Sequence, residues 1–316
     1  MKKSKRIILG LIVLFLISAI LFFLKDYIFT SNNEPSSKES KFKMGDMEQN
    51  ALGLAGFKAN GEPLYDAQPI KLDENQTANF ELALAHMLDT NETYGIILMQ
   101  DYIQSKFTCG DKVTADICKQ SIPPSTEVSI PLSIKINPDT RELIVLIVKE
   151  PDSIVKDMDL NRLFYYEQAY AKRYIIDGSV EKADLVYIDP DSTYKSPGDT
   201  NAITFSGDKT ERQLVSSMFS GEKGYLHMGT SIGNKEMDYA VVAFNDWKQT
   251  KINDNTIMHI NTKPDITYVY DVSLPLIKKE ANLQFFAFPT PYTSDSSDSV
   301  FKVYQSTRTV VESYTN

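Results

Sequence analysis

Tyr94-Gly-Ile-Ile-Leu-Met-Gln-Asp101-Tyr102-Ile-Gln104-Ser-Lys106-Phe107 returns as Tyr239-Ala-Val-Val-Ala-Phe-Asn-Asp246-Trp247-Lys-Gln249-Thr-Lys251-Ile252, at an offset of 145 (239 minus 94). Val128-Ser129-Ile130-Pro131-Leu132 then has an echo in Val272-Ser273-Leu274-Pro275-Leu276, at an offset of 144. Arg173-Tyr-Ile-Ile-Asp177 is answered, more weakly, by Arg308-Thr-Val-Val-Glu312. Recurrence of these motifs in one order implies a duplicated domain.

Turn signals bound the apolar runs. Asn137-Pro-Asp-Thr140 separates Val128–Ile136 from Leu143–Val148, which reads as a hairpin, and Lys278–Asn282 with Leu283–Phe288 reads as the same hairpin again. Leu132 to Leu143 is 11 positions and Leu276 to Leu283 only 7, so the second connection is expected to be shorter. Short β-branched and aromatic segments predict a mainly β chain: an N-terminal transmembrane helix, then two tandem homologous antiparallel β-sandwich domains, immunoglobulin-like in outline but without a Cys-Trp-Cys core signature. One further helix is expected over Asp159–Tyr174, where Leu160, Leu163, Phe164 and Ala171 share helical spacing. Pro131 and Pro275 are expected on edge strands or bulges, because proline offers no amide donor. Tyr94–Met99, Leu143–Val148 and Tyr239–Phe244 are apolar at nearly every position, which predicts strands covered on both faces, most simply within the chain itself.

Lys2, Lys3, Lys5 and Arg6 precede an unbroken apolar run from Ile7 to Leu24. That run is long enough to cross a hydrocarbon core of about 30 Å, and positive residues before it place the N-terminus in the cytoplasm. The expected organisation is a cytoplasmic tail (1–6), a transmembrane anchor (7–29), a polar stalk (30–50), a first β-sandwich repeat (51–177), a linker (178–200) and a second repeat (201–316). Setting aside the four N-terminal cations takes the net charge from −9 to −13, which argues against nucleic acid as a partner. In an oxidising exterior, Cys109 and Cys118 are expected to form a disulfide rather than a metal site.

The repeated Asp-aromatic-x-Gln has two readings. Asp101, Tyr102 and Gln104, with Asp246, Trp247 and Gln249, form candidate binding sites in which the ring is a platform and the polar groups read a ligand. Alternatively, each Asp accepts hydrogen bonds from turn amides, each Gln pairs with nearby backbone, and each ring closes the end of a core. No catalytic, cofactor or metal constellation is expected. His86, His227 and His259 lack metal-ligand spacing. Ser192-Thr-Tyr-Lys195 matches the S-x-x-K of serine acyl-transferases, but no S-D-N or K-T-G accompanies it and Pro197-Gly198 follows closely. Asp189-Pro-Asp191 and Asp295-Ser-Ser-Asp298 are read as solvated turns. The function expected is non-enzymatic binding or scaffolding in the bacterial cell envelope, outside the plasma membrane, with the membrane and an envelope protein or wall component as partners. The alternatives are a subunit of a trans-envelope secretion or conjugation assembly, and an envelope enzyme.

Overall fold

The computed structural model describes residues 52–58, 63–64, 69–86, 89–158, 168–176, 184–230, 235–293 and 303–313. The expected tail, anchor and stalk lie outside them. Among the described residues no helix is long and apolar enough to cross a membrane, and every regular element is a strand.

The first half begins with β1 (Leu52–Lys58), β2 (Pro63–Leu64), β3 (Pro69–Ile70), β4 (Thr77–His86), β5 (Glu92–Gln100) and β6 (Ile103–Ser105). It continues through β7 (Phe107–Cys109), β8 (Lys112–Ala115), β9 (Cys118–Ile122), β10 (Thr126–Lys135), β11 (Glu142–Lys149) and β12 (Ala169–Ile176). The second half opens with β13 (Ser192–Lys195), β14 (Ile203–Ser206), β15 (Ser217–Phe219), β16 (Lys223–Met228), β17 (Met237–Asn245) and β18 (Lys248–Thr250). It closes with β19 (Met258–Thr262), β20 (Ile266–Ser273), β21 (Ala281–Pro289), β22 (Tyr304–Gln305) and β23 (Thr309–Glu312).

These strands form four sheets. The first runs β2-β1-β4-β10-β7-β8, and the second β3-β12-β11-β5-β6 with β9 also on β5. The third runs β15-β23-β21-β17-β18, with β19 on β17 and β22 on β21, and the fourth β13-β20-β16-β14. Phe80, Leu82 and Leu132 of the first sheet pack on Leu98, Val145 and Tyr174 of the second. Phe205, Leu226 and Val272 of the fourth pack on Tyr239, Phe285 and Val311 of the third. The two inner sheets then meet each other, with Ile97, Met99, Leu146 and Val148 against Val242, Phe244, Phe286 and Phe288. The doubly apolar strands are therefore covered by the other half of the chain, as a fully buried strand requires.

The pairing pattern occurs twice in the same register. Gln100 faces Leu143 and Tyr94 faces Lys149; 145 or 140 residues on, Asn245 faces Leu283 and Tyr239 faces Pro289. Leu143 also faces Tyr174, as Leu283 faces Thr309, so the weak third echo falls on matching strands.

The proline motif does not match in this way. Ile122 lies opposite Glu92 and Thr262 opposite Met237, so β20 answers to β10 at an offset of 140, the same as at Leu283. Pro131 therefore corresponds to Asp271, and Pro275 lies beyond the end of β20. The two registers differ by four residues, an even number, so they present the same alternation to one face and resemble each other as sequence. The expected shortening of the second hairpin vanishes with this correction. The five-residue difference falls earlier, where the first half carries β7 and β8 and the second has a tight turn at Ile252–Asn255, with Asn253 and Asp254 at φ 46° and 70°. Pro131 lies not on an edge strand but on β10, between β4 and β7; it faces Glu81, and its carbonyl accepts from the Gly110 amide where the β10–β7 ladder ends, so its nitrogen points to that side and the ladder with β4 loses no donor.

The expected helix over Asp159–Tyr174 is also corrected. Residues 159–167 lie outside the described set, and Ala169–Ile176 is β12, antiparallel to β11. Tyr170, Tyr174, Ile175 and Ile176 suit a strand, and the open edge of β11 supplies backbone partners that outweigh the helical spacing.

Candidate functional site

Asp101-Tyr102 and Asp246-Trp247 are the two central residues of two-residue hairpin loops, between Gln100 paired with Ile103 and Asn245 paired with Lys248. All four residues have positive φ, 47° and 66° in the first loop and 46° and 63° in the second, as a primed hairpin turn demands. A bulky aromatic in this region is strained, so other contacts must hold it. Asp101 accepts from the Arg141 and Glu142 amides at 3.0 and 2.9 Å, and Asp246 from the Asn282 amide at 2.9 Å. Burial nevertheless keeps the Asp101 carboxyl above the usual carboxylate range.

The two glutamines hold each other. The Gln104 amide donates to Gln249 Oε1 at 2.7 Å, and the Gln249 amide to Gln104 Oε1 at 2.7 Å. Gln104 Nε2 reaches the Trp247 carbonyl at 2.8 Å, and Gln249 Nε2 the Tyr102 carbonyl at 2.7 Å. Equivalent residues touch each other reciprocally, which is the signature of a two-fold, isologous contact. The arginines obey the same rule. Arg173 Nη1 donates to the Pro289 carbonyl at 2.7 Å and Nη2 to the Thr290 carbonyl at 3.2 Å, while Arg308 Nη1 and Nη2 donate to the backbone carbonyls of Glu150 and Lys149 at 2.7 and 2.8 Å. Each arginine also meets the aromatic ring of its own half, with the Arg308 guanidinium 4.7 Å from the Trp247 ring and Arg173 Nη2 2.9 Å from the Tyr102 hydroxyl.

The symmetry breaks at one position. Glu142 pairs with Arg173 and accepts from Tyr102 Oη at 2.6 Å in a fully buried group, whereas its counterpart Asn282 donates to the Ser153 carbonyl at 3.0 Å. Tyr102 is fully buried and Trp247 is 4% exposed, with its Nε1 donating to the Pro151 carbonyl at 2.6 Å. Tyr102, Gln104, Trp247 and Gln249 are thus brought to the seam between the inner sheets, while Asp101 and Asp246 fix the two loops within their own halves.

Cys109 and Cys118 are joined by a disulfide. It ties β7 of the first sheet to β9 of the second and so closes one edge of that sandwich. Ser192–Lys195 is β13, an antiparallel strand on β20, not the helix that an S-x-x-K nucleophile requires.

The sequence reading did not assemble a cavity of about 600 Å³ in the second half. The segment Tyr187–Asp191 crosses there from the third sheet to the fourth: the Ile188 amide donates to the His259 carbonyl and the Asp191 amide to the Val269 carbonyl, both at 2.9 Å. Tyr187, Tyr268, Tyr270, Asp189, Glu236 and Asp238 line it. Tyr187 Oη and Asn261 Nδ2 both donate to Asp238 Oδ1 at 2.8 Å, which fixes that carboxylate, and burial with the Asp238 contact pushes the Tyr187 phenol up to about 12. Of its lining residues only Asp189 stands out in the sequence, and there it belongs to the turn-like Asp189-Pro-Asp191.

No family model and no curated protein sequence matches this chain. Among solved structures it is similar to a variant of the McoA multicopper oxidase from the hyperthermophile Aquifex aeolicus, at 9% identity and a TM-score of 0.22, over 81% of this chain and 65% of the oxidase. The chain thus spans just under two thirds of that protein's length. It is also similar to the Pseudomonas aeruginosa CupB2 chaperone, at 7% identity and a TM-score of 0.23, over 76% of this chain and 96% of the chaperone. Superpositions this loose transfer neither topology nor activity.

Proposed function

We propose that the protein is a single-pass plasma-membrane protein whose exterior carries a duplicated, immunoglobulin-like pair of β-sandwiches with a non-enzymatic binding or scaffolding role in the cell envelope. The observation that carries this reading is the reciprocal seam. Two equivalent domains joined by equivalent residues make one rigid body, and a rigid body presents its outer surfaces to a partner at fixed spacing and with little ordering cost on binding. Crosslinking of the full-length protein in intact cells, followed by mass spectrometry, tests it, with envelope proteins or wall components expected on the exterior domains. Recovery of cytoplasmic proteins, or of no partner, overturns the reading. Replacing residues 7–29 by an unrelated span separates a tether, which keeps its partners, from a subunit of a trans-envelope machine, which loses them.

A further inference from the structure

We infer that the cavity beneath Tyr187–Asp191 receives a lysine or arginine side chain from an extended segment of a partner protein. This inference rests on the binding-module reading and names the chemistry of one contact. Among the described residues that line the cavity, Asp189, Glu236 and Asp238 stand against one cation, Lys263, so the local field is negative and rejects carboxylates and phosphates. A neutral ligand would desolvate these carboxylates without compensation. A cation gains from them and from the aromatic rings of Tyr187, Tyr268 and Tyr270 in the same lining. Among the described residues no group of three carboxylate, histidine or cysteine side chains converges as a metal ion requires, which leaves an organic cation.

The volume points to the carrier. About 600 Å³ lies within the range of ligand sites and exceeds what a lone ammonium fills, so the charged group enters with a length of chain behind it. Asp238 is held in place before binding by Tyr187 and Asn261, so little ordering is left to be done when the cation arrives.

The test titrates the full-length protein with the peptide Gly-Gly-Lys-Gly-Gly and with its Nε-acetyl-lysine form, followed by calorimetry and by chemical shifts of the lining tyrosines. Acetylation removes the charge and keeps the length, so the acetylated peptide is expected to bind about tenfold more weakly. Glu236→Gln should weaken the lysine peptide by a similar factor of about ten, and Lys263→Met should strengthen it, both with unchanged melting temperature. Equal binding of the two peptides, shifts confined to other tyrosines, or loss of affinity in Lys263→Met overturns the inference. If the Glu236→Gln protein binds the lysine peptide as the wild type does and is crosslinked to the same partners at undiminished yield, this site is wrong while the module reading stands. If the wild-type protein has no partner, the module reading itself fails.

Discussion

At the scale of single residues, the seam shows why a repeated motif need not be a ligand site. Gln104 and Gln249 each accept the other's backbone amide on their side-chain oxygen and donate their side-chain nitrogen to the carbonyl of the facing loop's aromatic residue, four hydrogen bonds in all, so neither half can be read without the other. Alanine at either position removes bonds worth about 1 kcal/mol each net and leaves the partner's groups unsatisfied. The double mutant leaves fewer orphans than the two singles together. A double-mutant cycle by chemical denaturation should therefore give a coupling of about 0.5–3 kcal/mol, and strict additivity would show that the pair does not act as a unit.

Histidine makes a second prediction at this scale. His227 Nε2 lies 2.9 Å from the Asp208 carbonyl, which only accepts, so this nitrogen carries the proton and Nδ1 faces Tyr194 Oη at 3.3 Å. Burial, reinforced by the charge of Arg212, lowers the His227 pKa, and burial lowers that of His259 as well. The folded state thus binds fewer protons than the unfolded state below the ordinary histidine value of about 6.5. Stability should be intact above that pH and decline as pH falls from there through the lowered folded value. His227→Gln should flatten the decline in melting temperature between pH 7 and pH 5, and an unchanged slope would assign it to other groups.

At the scale of elements, the disulfide is an addition to one half only. β7, β8 and the Cys109–Cys118 bridge occupy the place where the second half closes with Ile252–Asn255. Loop-closure entropy for so short a ring puts the cost of Cys109→Ser with Cys118→Ser at somewhat under about 3 kcal/mol, read from denaturant midpoints, with fold and seam retained. Loss of the fold in the double serine variant would make the bridge a requirement of the architecture.

The same elements show how far the sequence was legible. β5 and β17 were readable because burial on both faces removes polar letters, so their match is dense. The bland assignment of Asp101, Tyr102 and Gln104 was available from turn chemistry, but their meeting with Asp246, Trp247 and Gln249 was not, since contact between equivalent positions leaves no mark along the chain. The Pro131–Pro275 echo misled because period-two strands look alike after an even slip, and β12 because helical spacing says nothing of an open neighbouring edge. Tyr187, the pair Glu236 and Asp238, and Tyr268 come from three separate segments, and only folding places them around one cavity.

At the scale of the whole molecule, the arrangement is that of a homodimer contained in one chain. The seam joins two complete sandwiches, each with its own core, through an apolar layer, two arginines and a reciprocal glutamine pair. The connection between β12 and β13 is then needed to keep the halves in one chain but not to hold them in place. A protease site introduced within residues 177–183 and cut in the purified protein should leave the two fragments co-eluting as one species under native conditions. The disulfide lies wholly within the first half, so reducing agent should not change that result. Combining Gln104→Ala with Arg308→Ala in the cleaved protein should shift the balance toward separate fragments, because these changes remove four hydrogen bonds that cross the seam. Fragments that part at once after cleavage of the otherwise wild-type chain would mean that covalent linkage, and not the reciprocal contact, keeps the two sandwiches together.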